Sequence, residues 1–370
     1  MIDAYDHIVV GGGTSGCIVA AELAKDPARR VLLLEGGPSA ESHPETLTAS
    51  GYKEAFINDA VMGERFSVPQ VHAANQRIFA GTGTVMGGSG SVNGMVYTRG
   101  AREDYEEWPE GWRWNDVQAD FEAVERTLRP HRRPPTQWTE ACTASAEEHG
   151  FTRKEDLNDG NMSNVIGYEW MSYEGDERRS SYVAFIKDVG PRENLTIVAN
   201  ARVHRVVFTV DKHARAVEYE HEGALKRASA SREIVLCAGA LETPKLLMLS
   251  GVGPAEHLRE LGIPVVADRP CIGAGLHDHP NVPVFYKTKR DIDCFYPQLF
   301  IFFRTYVACD LPSSQSDTCY VFWPAPSAMR QMMQRMLPPM VIPRRLYGPR
   351  SRAMVRSMIG VAFNAGGVQR

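Results

Sequence analysis

His7-Ile8-Val9-Val10-Gly11-Gly12-Gly13-Thr14-Ser15-Gly16 decides the fold, together with the apolar residues at helical spacing over Cys17–Lys25 and the run Val31-Leu32-Leu33-Leu34 that follows. A short β-branched run, a glycine turn, an amphipathic stretch and a second apolar run predict a β-α-β unit. A continuous apolar run such as Val31–Leu34 suits a parallel strand covered on both faces. The unit is therefore expected at the centre of an α/β domain.

The turn contains G-x-G-x-x-G between strand and helix, and Glu35 stands at the end of the next strand, about 20 residues on. Gly11 permits the tight turn, Gly13 lets backbone approach a pyrophosphate, and Gly16 allows close helix–strand packing. Thr14 and Ser15 fall at the helix N-terminus, whose unpaired N–H groups suit an anion. Glu35 would accept hydrogen bonds from an adenosine ribose and repel a 2′-phosphate, which favours FAD or NAD over NADP. The fingerprint alone does not separate FAD from NAD.

A second glycine-rich segment, Gly81-Thr82-Gly83-Thr84-Val85-Met86-Gly87-Gly88-Ser89-Gly90-Ser91-Val92-Asn93-Gly94-Met95-Val96-Tyr97-Thr98-Arg99-Gly100, is unlike a simple linker. Its first half allows backbone to approach a flat ring. Its second half is expected to start a helix whose N-terminal N–H groups would stabilise a reduced flavin's negative charge.

Elsewhere, residues 38 to 100 show little periodicity and read as loop or ligand-wrapping chain. Asp116–Thr127 is helix-prone, and Arg129–Gln137, with three prolines and three arginines, reads as an exposed connection. Asn194–Ala199, Arg202–Val210 and Ala214–Glu220 alternate apolar with polar residues and predict a β-meander. Glu233–Cys237 predicts a further strand, and Thr243-Pro244 the start of a helix that closes at Ser250-Gly251.

The net charge of −4 across 370 residues offers no basic footprint for nucleic acid. Seven cysteines at irregular spacing, without C-x-x-C, form neither a disulfide framework nor a zinc ligand set. A reducing cytoplasm is expected. No apolar run approaches the roughly 20 residues needed to span a bilayer, and the N-terminus lacks an export signal.

Gly87-Gly88-Ser89-Gly90-Ser91-Val92-Asn93-Gly94-Met95 resembles the first signature of the glucose–methanol–choline flavin oxidoreductases, and Gly239-Ala240-Leu241-Glu242-Thr243-Pro244-Lys245-Leu246-Leu247-Met248-Leu249-Ser250-Gly251-Val252-Gly253 resembles the second. Arg99-Gly100, Asp104-Tyr105, Trp108, Gly111-Trp112 and Asn194-Leu195-Thr196 also follow that family's course. The resemblance implies a Rossmann-like FAD-binding domain with a β-meander, over 1–150 and 190–285, plus a partial α+β substrate-binding domain over 151–189 and 286–370. It implies flavin near Val85 and Gly88 and over the turn Asn93, Gly94, Met95 and Val96, with adenine against the Val203 backbone and near Ala238. Family members with histidine at the position of Asn93 attach FAD through it. Asparagine implies noncovalent FAD. Thr82 and Thr84 replace basic residues usual there, so a less positive phosphate environment is expected.

In that family an alcohol is oxidised to a carbonyl: hydride passes to the flavin while a histidine, helped by a second histidine or an asparagine, takes the hydroxyl proton. Those residues lie well beyond the second signature. Here the last histidine is His279 and nothing after it resembles the motif, while Leu346–Arg352 resembles the start of the family's later strands. The catalytic C-terminal part is thus expected to be missing, and no catalytic residue is assigned. The alternatives are a noncatalytic flavin- or partner-binding remnant and, against the second glycine segment, an NAD-dependent dehydrogenase.

Other candidates have plainer explanations. His277-Asp278-His279 suggests a metal site, but Gly273–Pro280 resembles a loop of the flavin domain in which Gly275 replaces an asparagine. Met329, Met332, Met333, Met336 and Met340 at helical spacing read as core or interface before they read as a pocket. Arg344, Arg345, Arg350, Arg352 and Arg356 read as a solvated face, and Cys237 as a buried, inert thiol. Ser89 and Ser91 lack the G-x-S-x-G elbow of a hydrolase.

Overall fold

A computed structural model describes residues 3–279, 282, 284, 289, 292–305, 316–322 and 325–365. Pro280 and the side chains of Met329 and Arg344 lie outside the described residues. The chain forms two compact units: Met1–Val92 with Ser180–Val282, and Asn93–Arg179 with Pro283–Arg370.

The first unit is built on the expected β-α-β: strand β1 (Asp3–Val10), helix α1 (Thr14–Leu23) and strand β2 (Val31–Leu34). β1 and β2 pair in parallel, with His7 opposite Val31 and Val10 opposite Leu34. All four residues of β2 are buried, as a strand covered on both faces requires.

Four later strands complete the sheet: β3 (Leu195–Val198), β4 (Arg202–Phe208), β5 (Ala214–His221) and β6 (Ala224–Leu236), in the spatial order β3-β2-β1-β6-β5-β4. This corrects the expected meander. β3 does not belong to it, but pairs in parallel with β2 at the opposite edge of the sheet. Alternation shows that a strand has two unlike faces and says nothing about its neighbour. The true third meander strand is the first half of β6, which lies antiparallel to β5 through Ser229 and then runs parallel to β1 through Leu236. The expected strand Glu233–Cys237 is thus the end of one 13-residue strand.

The helix after β6 is also longer than expected. α2 (Gly239–Leu249) begins at Gly239, so Pro244 lies inside it. Proline removes one i→i−4 hydrogen bond there. The early start follows from the strand end: the Cys237 N–H still donates to Val10 O at 2.7 Å, and Gly239, at φ +84°, turns the chain at once into the helix.

The core of this unit joins Ile8, Val10, Leu32 and Leu34 to Val206, Val217, Tyr219, Ala228 and Leu246. Sheet and α2 therefore share one apolar interior, which fixes the upper ends of β1, β2 and β6 around the Gly11–Gly16 turn.

In the second unit the strand Val165–Tyr168 lies between Leu299–Phe303, antiparallel, and Thr152–Lys154, parallel, and Thr318–Phe322 pairs with the outer edge of Leu299–Phe303. Ile166, Tyr168, Leu299 and Ile301 pack with Ala146 of the helix Gln137–Glu148. The expected helix near 116–127 spans Trp114–Leu128. Arg129–Gln137 is more than a connection, because His131–Arg132 pairs with Trp170–Met171. Leu346–Arg352, expected to start strands, runs from the end of a 3-10 turn into the helix Pro349–Ala365, where Pro349 takes the first helical position.

The division between units falls at 92/93, 179/180 and 282/283, where 150, 189 and 285 were expected. The reason is pairing: Val96–Tyr97 bonds to Trp170–Met171, which ties residues 93–150 to 151–179.

Candidate functional site

Gly11 lies at φ +102°, and a Cβ there would fall 2.4 Å from Cys237 O and 2.9 Å from the Ala238 Cα. On Gly16 it would fall 1.8 Å from Gly11 O. Both positions therefore accept only glycine. Gly13 differs: a Cβ would meet nothing nearer than the Gly88 Cα at 3.7 Å, so the backbone leaves room there. Gly13 also caps α1 with extended backbone and no side-chain hydrogen bond, and no acidic residue stands in the first turn. The N–H groups beside the exposed Thr14 and Ser15 thus suit an anion.

Glu35 is 9% exposed at the end of β2. Its Oε2 accepts from Gly12 N at 2.8 Å and its Oε1 from Gly37 N at 2.7 Å. Burial pushes its carboxyl above the ordinary value, and the two backbone donors offset part of that. Two N–H bonds leave lone pairs on both oxygens, so the carboxylate can still accept hydroxyls. Ala201 N donates to Glu35 O at 2.7 Å and Asn200 N to Gly37 O at 2.8 Å, which brings the start of β4 to the same end of the sheet. Val203 follows on β4, the edge strand, and helps line a cavity of about 510 Å³ with Asn200, Arg202, Glu242 and Leu246. That volume lies in the range of small-molecule pockets.

The second glycine segment folds onto this turn. Gly87 N donates to Gly12 O at 2.6 Å, Met86 N to Pro38 O at 3.0 Å, and Gly88 N to Val85 O at 2.7 Å. Gly88 is at φ +58°. Val85 is fully buried. The expected helix here is only the 3-10 turn Gly88–Ser91, because Gly87 and Gly88 both take left-handed backbone and the chain then turns away. Its dipole is correspondingly small.

Asn93, Gly94, Met95 and Val96 belong to the second unit. Asn93 Oδ1 accepts from Met95 N at 3.0 Å, closing a turn in which Met95 is held at φ +65°. The fully buried Arg178 donates from Nη1 to Asn93 O and Oδ1, both at 2.9 Å. Sequence reasoning missed Arg178, which no local pattern marks. It also missed Arg65, whose Nη1 donates to Thr82 Oγ1 and whose Nη2 pairs with Glu242 at 2.9 Å. A guanidinium thus stands beside the threonine expected to leave this region less positive.

His277 and His279 are exposed, and among the described residues no group of three or more His, Cys, Asp or Glu is placed to hold a metal ion. Burial raises the half-buried Cys237 thiol, which makes it a poor nucleophile. No described helix is long and apolar enough to cross a membrane.

Residues 5–281 match the family model for GMC oxidoreductases. The oxygen-dependent choline dehydrogenase of Paraburkholderia xenovorans is 33% identical over an alignment of 331 positions that covers 80% of this chain and 56% of that protein. The alcohol dehydrogenase [acceptor] of Pseudomonas putida is 33% identical over 75% of this chain and 54% of its own length. Among solved structures, pyridoxine 4-oxidase from Mesorbium loti superposes with a TM-score of 0.67 at 28% identity, covering 72% of this chain and 55% of that one. The chain therefore spans about half the length of these relatives.

Proposed function

Because the chain belongs to the GMC oxidoreductase family, we propose that it is the flavin-binding portion of an enzyme that oxidises an alcohol CH–OH group to a carbonyl, with FAD held noncovalently. The observation that carries this reading is the interlock of the two glycine segments, Gly87 N on Gly12 O and Gly88 against Gly13. A plain NAD fold needs the first segment alone. Two relatives, a choline dehydrogenase and an alcohol dehydrogenase, support an alcohol as substrate.

In this reading the N-terminus of α1, with Gly11, Gly13, Thr14, Ser15 and Gly16, takes the pyrophosphate, and Glu35 takes the ribose hydroxyls. Val203 and Ala238 flank the adenine. Val85, Gly88 and the turn from Asn93 to Val96 serve the isoalloxazine ring. Bound flavin would supply the hydride acceptor. The protein's own part is to hold the anion at uncapped N–H groups, to keep Glu35 aimed through Gly12 and Gly37, and to offer a backbone surface free of side chains at Gly13. A reducing cytoplasm belongs to the same reading and suits the six free cysteines among the described residues.

A second reading is a flavin- or partner-binding chain without turnover. Two measurements decide. Protein purified without added cofactor is denatured and its supernatant assayed: free FAD is expected, whereas NAD, or colour retained in the precipitate, overturns the cofactor assignment. FAD-loaded protein is then mixed anaerobically with primary, aromatic and amino alcohols, where flavin bleaching supports the enzyme and its absence the second reading.

A further inference from the structure

All 45 Asp and Glu residues lie at or before Asp317, and the 53 residues after it hold eight arginines, no lysine and no acid. Residues 318–370 thus form a uniformly cationic stretch in a chain of net charge −4. Two of its helices, Ala325–Met336 and Pro349–Ala365, are fastened to each other by polar bonds: Gln334 Nε2 donates to Arg356 O and Arg356 Nε to Gln334 O, both at 3.0 Å. Gln334, Arg335 and Ile359 are buried.

The outward side is apolar. Met354, Met358 and Val361, spaced four and three residues apart and so on one helical face, are 59%, 63% and 64% exposed. Met340, Val341 and Leu346 in the connecting stretch are exposed as well. This inverts the usual surface helix, which turns its charged face to water. The exposed Arg345 and Arg350 flank the apolar residues.

We propose that this face docks on an anionic lipid surface. An apolar stripe edged by arginines, with no carboxylate near in sequence, matches helices that lie in the headgroup region of acidic membranes. Charge decides among the occupants. A second copy docked through the same face would bring two uniformly cationic segments together, and a dissolved polyanion such as nucleic acid would leave the methionines and Val361 in water. A surface with both negative headgroups and an apolar layer satisfies the two features at once.

The test is cosedimentation of the 370-residue protein with phosphatidylcholine vesicles, with and without phosphatidylglycerol. Binding is expected only with phosphatidylglycerol, weakening as salt is raised. R345Q/R350Q and, separately, M354Q/M358Q/V361Q should each lower the bound fraction by roughly tenfold or more, with unchanged far-ultraviolet dichroism. Equal binding to both vesicle types, or to neither, overturns the proposal. So does a dimer in sedimentation that M354Q/M358Q/V361Q dissociates, or heparin binding without vesicle binding.

Discussion

Gly88 lies against Gly13, and the contact is one-sided: a Cβ on Gly88 would fall 2.7 Å from the Gly13 Cα, whereas one on Gly13 would come no nearer than 3.7 Å to the Gly88 Cα. The two glycines therefore separate folding from ligand approach. Gly88→Val must displace the dinucleotide turn and also holds a β-branched residue at φ +58°, a left-handed conformation that costs about 1–2 kcal/mol. Gly13→Ala fits the extended backbone and costs about 1 kcal/mol or less as a weaker cap. Its methyl group instead occupies the space the proposed pyrophosphate needs. Differential scanning fluorimetry should show G88V melting several degrees lower even without FAD, and G13A near the parent. Fluorescence titration should show FAD affinity in G13A reduced by roughly tenfold, as for an overpacked contact of about 1.4 kcal/mol. Parental affinity in G13A would remove Gly13 from the site.

Glu169 gives a pH-dependent prediction. It is completely buried, and neither carboxylate oxygen has a hydrogen-bond partner among the described residues. Burial raises its carboxyl to about 8, with the nearby Trp170 N–H offsetting part of the rise and Asp156 adding a smaller amount to it. A carboxyl raised in the fold is protonated more readily there than in the unfolded chain, where its value is about 4.3. Its contribution is fully present below that value and is lost as pH climbs towards 8, a change of roughly 3–5 kcal/mol. Glu169→Gln keeps the shape and removes the ionisation. Melting curves from pH 5 to 9 should show the parent falling below E169Q as pH rises. Parallel curves would mean that Glu169 stays neutral or finds water.

The parts legible in the sequence are those fixed by local spacing. Three apolar runs and one glycine turn sufficed for β1, α1 and β2, because a parallel strand buried on both faces has no polar positions to confuse the pattern. β6 was not legible as one strand. Its middle carries Lys226, Arg227, Arg232 and Glu233, so no single period runs through the residues where it passes from an antiparallel to a parallel neighbour. Gly11, Gly16 and Gly88 were legible for the same reason as the turn, since close approach there leaves no alternative residue type. Arg178 and Arg65 were not, since each acts 17 or more residues away from its position, on Asn93 and on Thr82 and Glu242.

Glu125 tests the packing of the second unit. Arg99 Nε and Nη2 donate to its two oxygens at 2.6 and 2.5 Å, Tyr97 OH adds a bond at 2.9 Å, and both charged side chains are only 11% exposed. Glu125→Ala leaves Arg99 charged and largely desolvated, which should cost about 3–5 kcal/mol in urea unfolding. R99M/E125L should recover much of that loss by replacing the pair with apolar volume. If E125A and the double variant unfold alike, the pair contributes through shape and not through charge.

Asn93 carries the last prediction, because its Oδ1 is shared between two donors, the Met95 N–H and Arg178 Nη1. Burial lowers the Arg178 guanidinium to about 10, which still leaves it charged at neutral pH. Asn93→Ala removes one acceptor from that buried cation and opens the turn that holds Met95 at φ +65°, so a loss of about 1–3 kcal/mol is expected. Asn93→Asp keeps an oxygen in the same place and sets a negative charge against Arg178, so its melting temperature should equal or exceed the parent's. If the turn serves the isoalloxazine ring, N93A should also hold FAD more weakly, while N93D keeps the turn but places a negative charge where a reduced flavin would carry its own. The reduction potential of bound FAD should therefore fall in N93D without loss of thermal stability. A potential equal to the parent's in N93D would separate Asn93 from the flavin and leave it a purely structural partner of Arg178.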